Sequence, residues 1–187
     1  MPNPRLNLDT TVLLVIDLQE KLVPTIIDRD RLETNCAILL KMAAELGIPY
    51  FVTEQYPQGL GRTIEDVAQA MTDPSRRVEK TSFSAAVDLI TDQLSAWRRC
   101  SVIICGIEAH VCVLQTVLDL VDSGYHCFLC TDAISASQHG QIAPALRRME
   151  RAGAIPTGVL SVMYELLKDA KHPSFRPLLE LAKQIKQ

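Results

Sequence analysis

Thr11-Val12-Leu13-Leu14-Val15-Ile16-Asp17 is an almost unbroken apolar, largely β-branched run closed by a single carboxylate. No polar residue alternates with the apolar ones, so the run suits a strand covered on both faces. Ser101-Val102-Ile103-Ile104-Cys105-Gly106 reads the same way. Around these two runs the pattern switches repeatedly between strand and helix. After the first, Leu32, Cys36, Leu39, Leu40, Ala43 and Leu46 fall on one helical face. Asp30 and Glu33 have the spacing of a capping box at its start, and Gly47 with Pro49 marks its end. Alternating strands and helices predict a parallel sheet between helix layers, with right-handed crossovers. The expected fold is a three-layer, doubly wound α/β sheet.

The remaining elements follow the same rhythm. Residues 50–53 read as a second strand, 63–71 as a short helix and 76–80 as a third strand. Ser84 is placed to cap a helix on which Ile90, Leu94 and Trp97 recur. A helix over 110–123, apolar on most sides, is stopped by Gly124, and 125–130 forms the next strand. Ile142, Ala145, Leu146 and Met149 mark a helix that Gly153 ends. A last strand over 156–160 and helices near 162–169 and 177–185 close the chain. There is no repeat and no Pro/Gly/Ser-rich linker, so residues 1–187 are expected to form a single domain.

Composition narrows the function classes. With 48% hydrophobic and 22% charged residues, a chain of 187 residues can bury a core without disulfide or metal staples. A net charge of −3 gives no bulk attraction to nucleic acid or to an anionic membrane. The first residues lack a basic segment followed by an apolar one, and no apolar run nears the roughly 20 residues of a membrane span. A cytoplasmic location is therefore expected, with the six cysteines as reduced thiols. Cys127 and Cys130 have a metal-pair spacing, but residues three apart on a strand face opposite ways. No second pair and no nearby His completes a site, so core packing is the expected role. Gly59 and Gly61 lack the third glycine of a dinucleotide fingerprint.

In doubly wound sheets, ligands bind beyond the carboxyl ends of the strands. Asp17 ends the first strand, Lys80 ends the third, and Cys112 lies in the first turn of the helix after Gly106. A helix N-terminus and a nearby ammonium both favour thiolate, and a carboxylate can take the thiol proton. The three form a nucleophilic site if they converge. Taken one at a time they read as a strand-end cap, a solvated charge and a small core residue.

Three local sequences bear on that choice: Leu14-Val15-Ile16-Asp17-Leu18-Gln19, Glu79-Lys80-Thr81-Ser82-Phe83-Ser84 and Gly106-Ile107-Glu108-Ala109-His110-Val111-Cys112-Val113. Together, and in this order, they resemble the isochorismatase-like cysteine hydrolases over residues 10–160. That family includes nicotinamidases, N-carbamoyl amidohydrolases and isochorismatases. The resemblance implies six mostly parallel strands and a catalytic triad of Asp17, Lys80 and Cys112. It also implies a cis peptide between Ile107 and Glu108, with the Glu108 and Cys112 N–H groups forming an oxyanion hole. Amide or carbamoyl cleavage through a Cys112 thioester is the implied reaction. The cysteine argues against isochorismatase chemistry proper, where that position lacks a thiol.

Nicotinamidases carry an Asp-x-His element and a further His after the second strand, to bind a metal. Here that stretch is Thr53-Glu54-Gln55-Tyr56-Pro57-Gln58-Gly59, without a histidine, so no metal and no cofactor are implied. Gln55 and Tyr56 are candidate walls for a small-molecule substrate. His110 is a candidate contact or a plain first-turn polar residue. Gln19 either enters the crevice or caps the following segment. His126, His139 and His172 are scattered, without ligand spacing. Two other readings remain: a non-catalytic oligomeric binding protein of the same fold, and a ribonuclease-like protein using the Arg76-Arg77, Arg98-Arg99 and Arg147-Arg148 pairs. The family resemblance and the apolar last third together imply a homo-oligomer.

Overall fold

The computed structural model describes residues 4–186. Six parallel strands form one sheet: β1 (Thr11–Ile16), β2 (Tyr50–Gln55), β3 (Arg77–Lys80), β4 (Ser101–Gly106), β5 (His126–Ile134) and β6 (Ile155–Thr157). Their spatial order is β3-β2-β1-β4-β5-β6. The chain winds outward one way from β1 to β3 and the other way from β4 to β6. The switch point therefore lies between β1 and β4, where such folds leave a crevice.

Among the described residues, eight α-helices accompany the strands: α1 (Arg29–Leu46), α2 (Pro57–Leu60), α3 (Glu65–Ala70), α4 (Asp88–Ala96), α5 (Leu114–Asp122), α6 (His139–Arg151), α7 (Val159–Leu167) and α8 (Phe175–Ala182). The alternation within β1 explains the layering. Leu13 and Val15 pack with α1, α3, α7 and α8 on one face. Val12, Leu14 and Ile16 pack with α4, α5 and α6 on the other. A strand buried on both sides needs an apolar residue at every position, which is what the opening run supplies. Cys127 and Cys130 likewise fall in the two different cores, as their spacing requires.

Several boundaries differ from the sequence-based expectation, each for a local reason. β2 runs two residues further, to Gln55, because both extra side chains find buried partners. β5 extends to Ile134, since the Asp132 carboxylate accepts the Val159 N–H at the start of α7. That bond also draws Val159 and Leu160 into the helix, so β6 stops at Thr157. Asp30 and Glu33 form no capping box. α1 begins at Arg29 after a left-handed Asp28, which places Asp30 inside the first turn. Ser84 accepts the Ala86 N–H well before α4 starts and does not cap it.

The sheet is tightest at the switch point. Gly106 has φ +115°, and a Cβ there would sit 2.2 Å from the Ile16 carbonyl oxygen. Only glycine lets β4 approach β1 this closely. Among the described residues, no helix is long and apolar enough to cross a membrane.

Candidate active site

The site grows from the carboxyl ends of β1, β2 and β3 and the turn after β4. Asp17 follows β1 directly with φ +55°, and its N–H donates to the Thr53 carbonyl on β2 (3.2 Å). Its side chain is fully buried, and both carboxylate oxygens are engaged. Thr53 Oγ1 donates to Oδ1 at 2.6 Å, and Lys80 Nζ to Oδ2 at 2.7 Å. Lys80 is fully buried too. Its ammonium also donates to Gln55 Oε1 (2.7 Å) and to the Phe83 carbonyl (3.1 Å). A buried ion pair is tolerated when its remaining donors and acceptors are satisfied in this way.

Cys112 lies in a single π-helical turn, Ala109–Val113, between β4 and α5. Single π turns are frequent at functional sites. The peptide before it, Ile107–Glu108, is cis. The Glu108 carbonyl accepts N–H groups from Val111 (3.0 Å) and Val113 (3.2 Å), which holds the turn, while its own N–H faces the Cys112 sulfur. The Cys112 carbonyl accepts Thr116 Oγ1 at 2.6 Å, and that hydroxyl in turn accepts the Ala85 N–H at 2.8 Å. Thr116→Val keeps the side-chain shape but leaves the Ala85 N–H unpaired. It is expected to cost about 1–3 kcal/mol in urea unfolding; a loss below half a kcal/mol would discount this tie.

The thiol differs from its sequence-based expectation. Burial pushes Cys112 up to about 12, and the negative charge of Asp17 adds to the effect. Lys80 and the Glu108 N–H pull the other way without prevailing. A thiolate preformed at neutral pH, as a helix N-terminus and a lysine implied, is therefore not the resting state. The sequence argument counted the favourable charges but not the lost solvation.

The candidate binding residues separate. Gln19 is fully buried and pins β2: its Nε2 donates to the Gln55 and Gly61 carbonyls, and its Oε1 accepts the Gln55 N–H. It does not enter the crevice. Gln55 spends both side-chain ends within the protein, accepting from Lys80 and donating to the Thr81 carbonyl at 2.7 Å, so it supports the ammonium rather than a substrate. Tyr56 is half-exposed and lines a cavity of about 510 Å³ outside β3, with Val78, Lys80, Val87 and Leu89. That cavity shares Lys80 with the site but includes neither Asp17 nor Cys112. His110 is partly exposed, its Nδ1 3.5 Å from the Glu108 carboxylate, which also accepts the Ser137 hydroxyl at 2.8 Å.

Glu54, between Thr53 and Gln55, takes part in another network. Burial disfavours its charge, yet hydrogen bonds from Thr63 and Arg62 hold its carboxyl below the usual range. Among the described residues, no group of three or more His, Cys, Asp or Glu side chains is placed to hold a metal ion. Thr53, Thr116 and Ser137 were not singled out from the sequence. Thr53 carries one usable sign: it is a polar residue near the end of a strand adjacent to the one that Asp17 closes.

A parallel sheet wound outward both ways from a central switch point defines a doubly wound α/β protein. The family model of the isochorismatase domain matches residues 11–159. The chain belongs to the isochorismatase family. It is 36% identical over 178 residues to isochorismatase domain-containing protein 2 of Danio rerio, covering 95% of this chain and 89% of the relative. Among solved structures, the MAR1 ribonuclease of Caenorhabditis elegans superposes with a TM-score of 0.92 at 36% identity, covering 95% of this chain and 92% of that one. The YcaC gene product of Escherichia coli, an octameric hydrolase of unknown specificity, shares the fold with a TM-score of 0.84 at 22% identity; the match spans 100% of both chains.

Proposed function

We propose that the protein is a cysteine hydrolase that cleaves the C–N bond of a small amide- or carbamoyl-type substrate through a Cys112 thioester. The observation that carries this reading is the fully buried Asp17–Lys80 pair, whose charges both act on the Cys112 thiol. Asp17 takes the thiol proton as sulfur attacks the carbonyl carbon, so the anionic charge leaves the carboxylate as it forms on sulfur. The repulsion that raises the thiol is thereby relieved, and the Lys80 ammonium stabilises the new anion. The tetrahedral oxyanion lies between the Glu108 and Cys112 N–H groups. The C–N bond breaks, and Asp17 returns the proton to the leaving nitrogen. Water then gives a proton to Asp17 and attacks the thioester. The C–S bond breaks, and the proton returns to sulfur.

Base assistance has a distinct pH signature. Alkylation by iodoacetamide, resolved for each cysteine by peptide mass spectrometry from pH 4 to 9, is expected to plateau for Cys112 above an acid limb. Exposed Cys100 serves as the reference thiol without a base beside it. Cys112 reacting more slowly than Cys100 throughout, with no acid limb, would sink the mechanism.

On this reading residues 1–187 form one hydrolase domain that needs no cofactor. Exposed Leu160 and Tyr164 on α7 offer apolar surface to a homo-oligomer. The ribonuclease reading, raised by the name of the C. elegans relative, has less support. Arg99 is spent on the Leu8 and Thr11 carbonyls, and Arg76 on Asp73 and the Trp97 ring, so two of the three arginine pairs have a member already engaged within the protein.

A further inference from the structure

We infer that Thr53 is a positioning residue for Asp17: its hydroxyl fixes one carboxylate oxygen while Lys80 fixes the other, and so sets the orientation in which Asp17 meets the Cys112 thiol. The inference rests on the hydrolase reading and adds to it a residue outside the implied triad.

Thr53 grips Asp17 at two points. Its carbonyl accepts the Asp17 N–H at 3.2 Å, and its hydroxyl donates to Oδ1 at 2.6 Å. The side chain is fully buried in a strand, where valine would fill the same space. A hydroxyl in such a place costs desolvation unless it is paired, and Asp17 is its recorded partner. Both carboxylate oxygens are then fixed. Oδ2 accepts from the Lys80 ammonium, which also donates to Gln55 Oε1 and the Phe83 carbonyl. Oδ1 accepts from the Thr53 hydroxyl.

Without the hydroxyl, only the Lys80 contact would fix the carboxylate, which could then swing away from the thiol. The other groups near Asp17 do not duplicate this. Lys80 on β3 and Cys112 on the π turn are the titratable groups that face it. Glu54 is turned to the opposite face of β2 with Arg62 and Thr63, and the Glu108 carboxylate is turned to Ser137 and His110. Gln55, two residues along β2 from Thr53, plays the matching part for Lys80.

The test compares wild type, Thr53→Val and Thr53→Ser in the alkylation profile of Cys112, with Cys100 as internal reference. Valine is expected to slow Cys112 about tenfold relative to Cys100, as misplacement of a catalytic group does. Serine, which keeps the donor, should stay within about twofold of wild type, and Cys100 should not change. If valine does not fold, Thr53→Ala carries the same comparison. An unchanged Cys112 rate in the valine variant, or serine slowed as far as valine, would overturn the role of Thr53 alone. A wild-type Cys112 without an acid limb would remove the hydrolase reading and this inference with it.

Discussion

Cys112→Ser should lower turnover by about a thousandfold or more, on whichever small amide or carbamoyl compound the wild type hydrolyses with release of ammonia or an amine. The change replaces one atom, so the fold and the oxyanion donors persist. What is lost is acidity. The thiol is already pushed up to about 12, and its proton still passes to Asp17 because sulfur carries the resulting charge well. An alcohol in the same buried position is harder still to ionise. Losses from removing a nucleophile range from about 10³ to 10⁶ in other hydrolases, with residual rate left by the oxyanion donors. Acid-quenched intact mass should show an acyl adduct on the wild type and none on the variant. A serine variant within tenfold of wild type would place the chemistry elsewhere.

Lys80→Met should destabilise the protein by about 3–5 kcal/mol, read as a lowered urea midpoint at unchanged slope. Methionine fills much of the space, so packing is not the main loss. The Asp17 carboxylate keeps one neutral donor, the Thr53 hydroxyl, in a place with no solvent exposure. Gln55 Oε1 and the Phe83 carbonyl lose the same partner. Adding Asp17→Asn removes the stranded charge, so the double variant should regain more than half of the loss while remaining inactive. If the single variant loses less than about 1 kcal/mol, or the second change brings no recovery, the ion pair is not what holds the three strand ends together.

The outline of this site is legible in the chain because polar residues are rare at the ends of buried strands. Asp17 closes an apolar run and Lys80 closes a short strand, so each stands out against its neighbours. Thr53 does not. A threonine within a β-branched stretch is an ordinary strand former, and only the parallel pairing of Ile16 with Thr53 reveals which side chain it meets. Gln19 is ambiguous in the sequence for the opposite reason. Two residues beyond a strand end should still point along the crevice, but the left-handed Asp17 turns the chain back, and Gln19 binds the β2 backbone instead. The height of the Cys112 thiol was hidden because solvation depends on neighbours far away in sequence. The same holds for β5, whose extra length rests on the bond from Asp132 to the start of α7.

The division of the interior by the sheet has a practical consequence for redesign. Cys112 belongs to the core beneath α4, α5 and α6, whereas α1, α3, α7 and α8 enclose the other, with Cys36, Cys105 and Cys130 inside it. The sheet backbone stands between the two, and changes without shared neighbours add nearly independently. The face under α1 is therefore the natural place for cavity filling and cysteine replacement, gaining shelf life while leaving the pocket chemistry alone. The face under α5 is where substrate preference would be evolved, at the risk of disturbing the turn that aims the sulfur.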